Sequence, residues 1–164
     1  MSFSVGTAFE QFCSNLRFSD AKVSAISTRY HAITKRINTD YWNSFSDEAH
    51  SFYVGSYGRD TEILTSDIDM LVQLPAATYQ KFNAYSSNGQ SALLQEVKKI
   101  LEKTYSVTSL KADGQIISIP FTDGINFEVL PAFLNAGGTY TFANSNNGGS
   151  WKTTDPKAEI AAIQ

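Results

Sequence analysis

Two Asp-Gly pairs divide the stretch from Tyr105 to Phe133 into three runs that are rich in β-forming residues. The pairs are Asp113-Gly114 and Asp123-Gly124, and such dipeptides between β-prone runs favour tight hairpin turns. Strands that are joined by tight turns pair with each other in antiparallel order. The sequence therefore predicts a three-stranded antiparallel meander.

Helical patterns alternate with further β-prone segments. Residues 19–45 carry apolar side chains at steps of three and four, and Ser19 or Asp20 can cap the start, which predicts a long helix. Residues 51–54 and 68–74 predict two strands, the second of which stops at Pro75. Residues 90–103 predict a helix that covers the sheet. These elements predict an α+β fold with a mixed or antiparallel sheet flanked by helices.

Length and charge exclude several classes of protein. A chain of 164 residues, of which 42% are hydrophobic, can bury one core but is short for two ordinary domains. The net charge of -3 argues against a protein that coats nucleic acid. No apolar run approaches the ~20 residues that a membrane span needs. Because Cys13 is the only cysteine and no secretory signal pattern opens the chain, we expect a cytoplasmic protein.

Three acids form the candidate chemical site. Asp67 and Asp69 stand two apart where a strand begins, so both carboxylates face the same way, and Mg²⁺ prefers such oxygen ligands. Glu128 stands between Phe127 and Val129 in an apolar strand, where an acid is costly unless it is paired or bound to metal. Taken singly, these acids are more often solvated, either in a turn or on the outer face of a half-buried strand.

A glycine-serine turn precedes the two aspartates. The Gly55-Ser56 pair is typical of a turn whose backbone amides and hydroxyl bind phosphate oxygens, although the pair alone is common. Arg59 is a candidate for neutralising triphosphate charge, but a lone arginine in a polar loop is more often solvated. Ser66 either contacts phosphate or merely starts the strand.

Taken together, these segments resemble the three-part signature of the DNA polymerase β-like nucleotidyltransferase superfamily. The segments are Gly55 to Arg59 with Thr61, Ser66 to Val72, and Phe127 to Phe133. The long helix, the Leu-Pro-Ala-Phe ending and the tail from Trp151 to Pro156 are most similar to bacterial relatives of cyclic GMP-AMP synthase and oligoadenylate synthase. These relatives are the CD-NTases, or SMODS-type enzymes, of antiphage signalling. The resemblance implies a polymerase β-like fold with a long N-terminal spine helix.

The same resemblance implies an activity. It implies transfer of a nucleoside monophosphate from a triphosphate, ATP or GTP, to an acceptor hydroxyl by means of two Mg²⁺ or Mn²⁺ ions. Asp67 and Asp69 would bridge both ions, and Glu128 would hold the ion beside the acceptor hydroxyl. The product would be a cyclic or linear oligonucleotide second messenger. Nucleic acid and membrane are not expected as partners.

The resemblance also assigns the nucleotide-binding residues. Gly55 and Ser56 would hold the β and γ phosphates, and Gly58 would keep the turn tight. Arg59 and Ser66 are the further nucleotide-binding candidates. One departure is the third acid, because Glu128 stands where the superfamily more commonly has an aspartate.

The resemblance places a domain boundary near the end of the chain. We expect residues 1–150 to form the catalytic core and residues 151–164 to begin a truncated C-terminal helical lobe. Asp155 and Pro156 are typical of a helix start, and barely two turns follow before Gln164. Without that lobe the chain is expected to bind a metal-triphosphate poorly and to make little product.

Two alternatives remain open from the sequence. The first is nucleotidyl transfer to a protein, an antibiotic or an RNA end. The second is a nucleotide-binding module without catalysis, although Asp67, Asp69 and Glu128 are all present and a degenerate member is expected to lose an acid first.

Overall fold

The computed structural model describes residues 5–15, 17–58 and 67–162, which form one seven-stranded mixed sheet and its flanking helices. The helices are α1 (Val5–Asn15), α2 (Asp20–Tyr41), α3 (Gly55–Gly58), α4 (Ala76–Asn83), α5 (Gly89–Glu102) and α6 (Pro156–Ala161). The strands are β1 (Ser51–Tyr53), β2 (Ile68–Gln73), β3 (Lys111–Asp113), β4 (Ile116–Pro120), β5 (Asn126–Leu134), β6 (Tyr140–Asn144) and β7 (Ser150–Thr154). The predicted α+β class is confirmed.

Strand β5 organises the sheet. It pairs in parallel with β2, while β4 and β6 pair antiparallel with its first and last residues respectively. β3 adds to β4 through the turn at Asp113-Gly114, so the predicted meander β3-β4-β5 is confirmed. β1 pairs antiparallel with β2, and β7 pairs antiparallel with β6. The sheet therefore has one parallel pair, and that pair lies at its centre.

The two faces of the sheet differ in what covers them. Alternate residues of β2, β4 and β5 bury apolar side chains against α2, α4 and α5, which form the main core. The opposite face carries a smaller apolar cluster around Leu71, Ala132, Tyr140 and Phe142. Helix α5 buries Leu93, Leu94, Val97, Ile100 and Leu101, the apolar stripe that the sequence predicts. The second face is therefore the more open one.

The long helix begins where the sequence predicts. Ser19 caps α2, since its side-chain oxygen accepts a hydrogen bond from the backbone N–H of Lys22 at 3.3 Å. The helix buries Ile26, Ile33 and Ile37. None of the helices in the described ranges combines the length and apolar character of a membrane span.

Some elements differ from the sequence-based expectation. Helix α4 is not apparent from the sequence, because only Phe82 of its eight residues is buried and its pattern is weakly amphipathic. The glycine turn forms a single helical turn, α3. The expected domain boundary after residue 150 falls inside β7, which continues the sheet through its pairing with β6. The separation of a second lobe stays a prediction.

Candidate functional site

A cleft of ≈ 280 Å³ opens on the sheet face that carries the predicted acids. β2 and β5 form its floor, and α3, the β3–β4 turn and the end of β7 with α6 form its walls. It is lined by Val54, Gly55, Asp69, Leu71, Gln115, Ile116, Glu128, Leu130, Thr154, Pro156 and Glu159. Within the described part of the chain, this lining has three carboxylates and no lysine or arginine. The cleft is therefore strongly acidic.

The backbone register brings two of the predicted acids together. Asp69 and Glu128 are partners in the parallel pairing of β2 with β5. Their neighbours Met70 and Phe127 are fully buried in the main core, and side chains alternate along a strand. Both carboxylates must therefore point to the opposite face. Because paired strands lie about 4.8 Å apart, the sheet itself holds the two acids close.

The Glu128 carboxyl is close to the negative charges of Asp67 and Asp69. Burial raises the pKa of its carboxyl above the ordinary value, and the charges of Asp67 and then Asp69 raise that pKa further. A cation relieves the repulsion between neighbouring carboxylates, and hard divalent ions bind carboxylate oxygens. The donor set of the cleft therefore fits Mg²⁺ or Mn²⁺.

Asp67 occupies a different environment from Asp69. It is exposed and precedes β2, whereas Asp69 is half-buried and lines the cleft. The Oδ1 atom of Asp67 accepts a hydrogen bond from Nδ2 of Asn126 at 3.2 Å. The structure thus places the charge of Asp67 near Glu128 without placing Asp67 in the cleft lining.

Gly55 is in direct contact with Asp69. Its φ is +62°, and a Cβ atom there would lie 2.1 Å from Oδ2 of Asp69. Gly58 ends α3, donates its N–H to the carbonyl of Val54 at 3.1 Å, and would place a Cβ 2.7 Å from the carbonyl oxygen of Tyr53. A side chain at either position would collide, so both glycines are required sterically.

The other predicted nucleotide-binding residues are placed only in part. Ser56 lies within α3 and is half-buried. Arg59, Thr61 and Ser66 lie outside the described residues. Their roles stay predictions.

Thr154 and Glu159 line the cleft without having been predicted, and Asn126, also not predicted, contacts Asp67. Thr154 ends β7, and its hydroxyl donates to Oε1 of Glu159 at 3.2 Å. Both line the cleft because β7 pairs with β6, a long-range pairing that no local pattern indicates. Asn126 has a local signal, since it stands two residues before Glu128 in β5 and so lies on the same face.

A separate group of possible metal ligands lies between α2 and β1. Atoms of His31, Asp47 and Glu48 come within 4.8 Å of one another. Nδ1 of His31 donates to the backbone carbonyl of Asp47 at 2.9 Å, and both acids are exposed. None of the three lines the cleft.

Comparison with known proteins identifies a family whose model matches this chain. The family model of the Second Messenger Oligonucleotide or Dinucleotide Synthetase domain matches residues 3–164. No curated protein sequence matches the chain.

Solved structures share the fold at low sequence identity. The CD-NTase CdnG of Bradyrhizobium diazoefficiens, in complex with GTP, is 16% identical with a TM-score of 0.69, covering 90% of this chain and 42% of that one. CdnC of E. coli MS115-1 with ATP is 14% identical with a TM-score of 0.60, covering 92% and 47%. The Elizabethkingia meningoseptica CdnE cyclic dinucleotide synthase, with GTP and Apcpp, is 15% identical with a TM-score of 0.56, covering 88% and 58%. The match therefore spans about half the length of these proteins, and it confirms the polymerase β-like fold.

Proposed function

Because the chain belongs to the Second Messenger Oligonucleotide or Dinucleotide Synthetase family, we propose that it is a nucleotidyltransferase core that uses two divalent cations. It would transfer a nucleoside monophosphate from ATP or GTP to an acceptor hydroxyl. The observation that carries the proposal is the pairing of Asp69 with Glu128 in an acidic cleft that contains no basic residue among its described lining. Membership of the family supports a second messenger as the product.

The three acids would bind the two ions in different ways. When bound, the cations would neutralise phosphate charge and lower the pKa of the acceptor hydroxyl. Asp69, held rigidly in β2, and Asp67, at the start of that strand, would bind both ions. Glu128 would bind the ion beside the acceptor hydroxyl and, once deprotonated, could accept its proton. A bound cation would oppose the burial and the like charges that raise the pKa of Glu128, and would so favour its carboxylate form.

The start of α3 would bind the triphosphate. Gly55 has no side chain, so phosphate oxygens could approach its backbone beside Asp69. The hydroxyl of Ser56 would donate to a phosphate oxygen, and hydrogen bonds to charged oxygens contribute roughly 1.5–3 kcal/mol. Ser56→Ala is then expected to weaken binding of a metal-ATP complex, as measured by calorimetric titration, with little effect on unfolding.

The products of the reaction are also part of the proposal. GTP and ATP occur in the solved structures of the CdnG and CdnC proteins, and CdnE is described as a cyclic dinucleotide synthase. These descriptions support nucleoside triphosphates as substrates and a cyclic or linear oligonucleotide as product. We extend the proposal to a cytoplasmic role in antiphage signalling, as in the family that the sequence resembles.

The test is product formation by the purified full-length protein with each nucleoside triphosphate and Mg²⁺ or Mn²⁺, followed by mass spectrometry. The double variant Asp67→Asn, Asp69→Asn is expected to lose on the order of a thousandfold in rate, since several kcal/mol of transition-state stabilisation depend on the ions. Circular dichroism should show an intact fold. The control is Asp47→Asn with Glu48→Gln, which removes the acids of the separate group. If the control variant lost product formation and the Asp67/Asp69 variant kept it, the ions would bind at the separate group and not in the cleft.

A further inference from the structure

Asp67 is the end of a chain of three hydrogen-bonded side chains. Oγ of Ser118, on β4, donates to Oδ1 of Asn126 at 2.8 Å. Nδ2 of Asn126, the first residue of β5, donates in turn to Oδ1 of Asp67 at 3.2 Å. These two hydrogen bonds thus connect the adjacent strands β4 and β5 to Asp67, the residue that precedes β2.

The chemistry of the three groups fixes the direction of these bonds. An ionised carboxylate only accepts hydrogen bonds, so the amide of Asn126 must turn its NH₂ group towards Asp67. The amide oxygen is then directed at Ser118, whose hydroxyl must donate. If the amide were flipped, its oxygen would face the carboxylate, and two acceptors would repel. The charge of Asp67 and the hydroxyl of Ser118 therefore select the same orientation of Asn126.

Asp67 needs such support more than the other two acids do. Asp69 and Glu128 are partners within the paired strands β2 and β5, but Asp67 precedes the first paired residue, Ile68. Its side chain is exposed, and its backbone lies outside the paired part of β2. A carboxylate that rotates freely loses conformational entropy when it binds an ion, and a hydrogen bond that fixes it beforehand reduces that loss.

We propose that Asn126 and Ser118 are positioning residues for the divalent-cation site. Asn126 occupies Oδ1 of Asp67, so Oδ2 is the oxygen that would bind a cation, and Ser118 holds the Asn126 amide in the orientation that makes this possible. The inference rests on the proposed function, because it takes Asp67 as a ligand. Both residues lie on the acid-bearing face and are half-buried, so their role is separable from the main core.

The experiment measures ion affinity directly, in addition to turnover. Mn²⁺ binding to the full-length protein is followed by electron paramagnetic resonance with a non-hydrolysable ATP analogue, for wild type, Asn126→Ala, Ser118→Ala and the double variant. Loss of a residue that orients a metal ligand typically costs 10- to 100-fold in affinity, so we expect the Mn²⁺ Kd to rise about tenfold or more in Asn126→Ala. The Mg²⁺ concentration for half-maximal product formation should rise in parallel.

The pattern across variants separates positioning from general damage. Ser118→Ala should weaken Mn²⁺ binding less than Asn126→Ala does, and the double variant should match Asn126→Ala, because Ser118 acts only through Asn126. Ser118→Thr keeps the hydroxyl and should restore wild-type affinity. The matched control is Asn135→Ala, an asparagine that is hydrogen-bonded to Thr139 and Thr141 away from the acids. It should leave Mn²⁺ affinity unchanged.

Two negative outcomes are distinguishable. If wild type binds Mn²⁺ and makes product, while Asn126→Ala and Ser118→Ala bind Mn²⁺ as wild type does, the positioning role is wrong and the proposed function stands. If the full-length wild type neither binds Mn²⁺ nor makes product, the proposed function fails and the positioning role fails with it. Because Ser118→Ala changes only one hydroxyl, it gives a result even if Asn126→Ala does not fold.

Discussion

At the scale of single residues, Gly55 lies against the carboxylate of Asp69 with no room for a side chain. The carboxylate of Asp69 occupies the space that any side chain at position 55 would need, at a Cβ–Oδ2 distance of 2.1 Å. The φ of +62° adds a second requirement for glycine, since L-residues rarely adopt it. A glycine is thus needed at position 55 to keep Asp69 in place, in addition to any role in binding phosphate.

Gly55→Ala is expected to destabilise the protein by about 1–3 kcal/mol and to abolish product formation, because Asp69 must move. Urea unfolding and a product assay give the two values. Gly138→Ala is the matched control: its φ is +88°, but no atom lies within 4 Å of the added Cβ. It should cost about 1 kcal/mol through backbone strain alone and leave product formation unchanged. Equal effects of the two variants would contradict the steric argument.

The residues of the candidate site are only partly predictable from the sequence. Alternation around Glu128 predicts its face correctly, since Phe127 and Val129 are buried in the main core. The same alternation could have indicated Asn126. Thr154 and Glu159 could not be predicted, because they reach the cleft through the pairing of β7 with β6.

At the scale of elements, the parallel pair of β2 and β5 places like charges opposite each other. A sheet normally avoids such pairs, because like charges in register destabilise it. The pKa of Glu128 is raised by burial and by the charges of Asp67 and Asp69. A carboxyl with a raised folded-state pKa contributes its full stability below the ordinary pKa of glutamate, and that contribution is lost as pH rises through the folded-state pKa.

Glu128→Gln is therefore expected to be more stable than wild type at pH 7 without divalent ions, by about 0.5–1 kcal/mol. The difference should vanish as the pH falls well below the ordinary pKa of glutamate, where Glu128 is protonated in both states of the wild type. Chemical denaturation across this pH range in the presence of a chelator measures it. Saturating Mg²⁺ should reverse the order, since only wild type keeps all three carboxylates. A wild type that is more stable than the variant at pH 7 without ions would refute the repulsion.

The elements themselves were predictable where short-range signals exist. The Asp-Gly turns predict β3, β4 and β5, and the apolar stripes predict α2 and α5. The parallel pairing of β2 with β5 has no such signal, because the elements between them include two helices and two strands. Helix α4 and strand β7 were missed because each exposes most of its residues and is held by tertiary contacts. One such contact is the hydrogen bond from Nε1 of Trp151 to Oδ1 of Asn83, at 3.0 Å.

At the scale of the whole molecule, one ion pair connects the helical layer to the tip of the meander. The guanidinium of Arg29, on α2, donates to both carboxylate oxygens of Asp123, at 3.1 and 2.8 Å. It also lies over the ring of Phe121, 3.9 Å from the ring centroid. The hydrogen bond from Arg29 is the largest cause that lowers the pKa of Asp123. A lowered pKa stabilises the fold above the ordinary pKa of aspartate, and this gain is lost as pH falls through the folded-state pKa.

Asp123→Asn is expected to cost up to about 1 kcal/mol of unfolding free energy at pH 7, since the pair is partly exposed. The cost should decrease as the pH falls below the ordinary pKa of aspartate and through the lower folded-state pKa, where wild type loses the charge on Asp123. Urea unfolding at several pH values provides the measurement. Asp113→Asn, in the other Asp-Gly turn, is the control and should show a smaller change at pH 7. A cost that is independent of pH would mean that the side chain acts through turn geometry instead.

The separation of β2 and β5 along the chain leads us to expect a definite order of folding. β3, β4 and β5 are joined by tight turns and close quickly, whereas β2 must close a long loop before it pairs with β5. We expect the amides that pair β4 with β5 to gain protection before those of β2 in pulse-labelled hydrogen exchange during refolding. The acids then meet only late, so added Mg²⁺ should slow unfolding without accelerating folding. The bound cation would therefore slow the loss of a sheet whose formation does not depend on it.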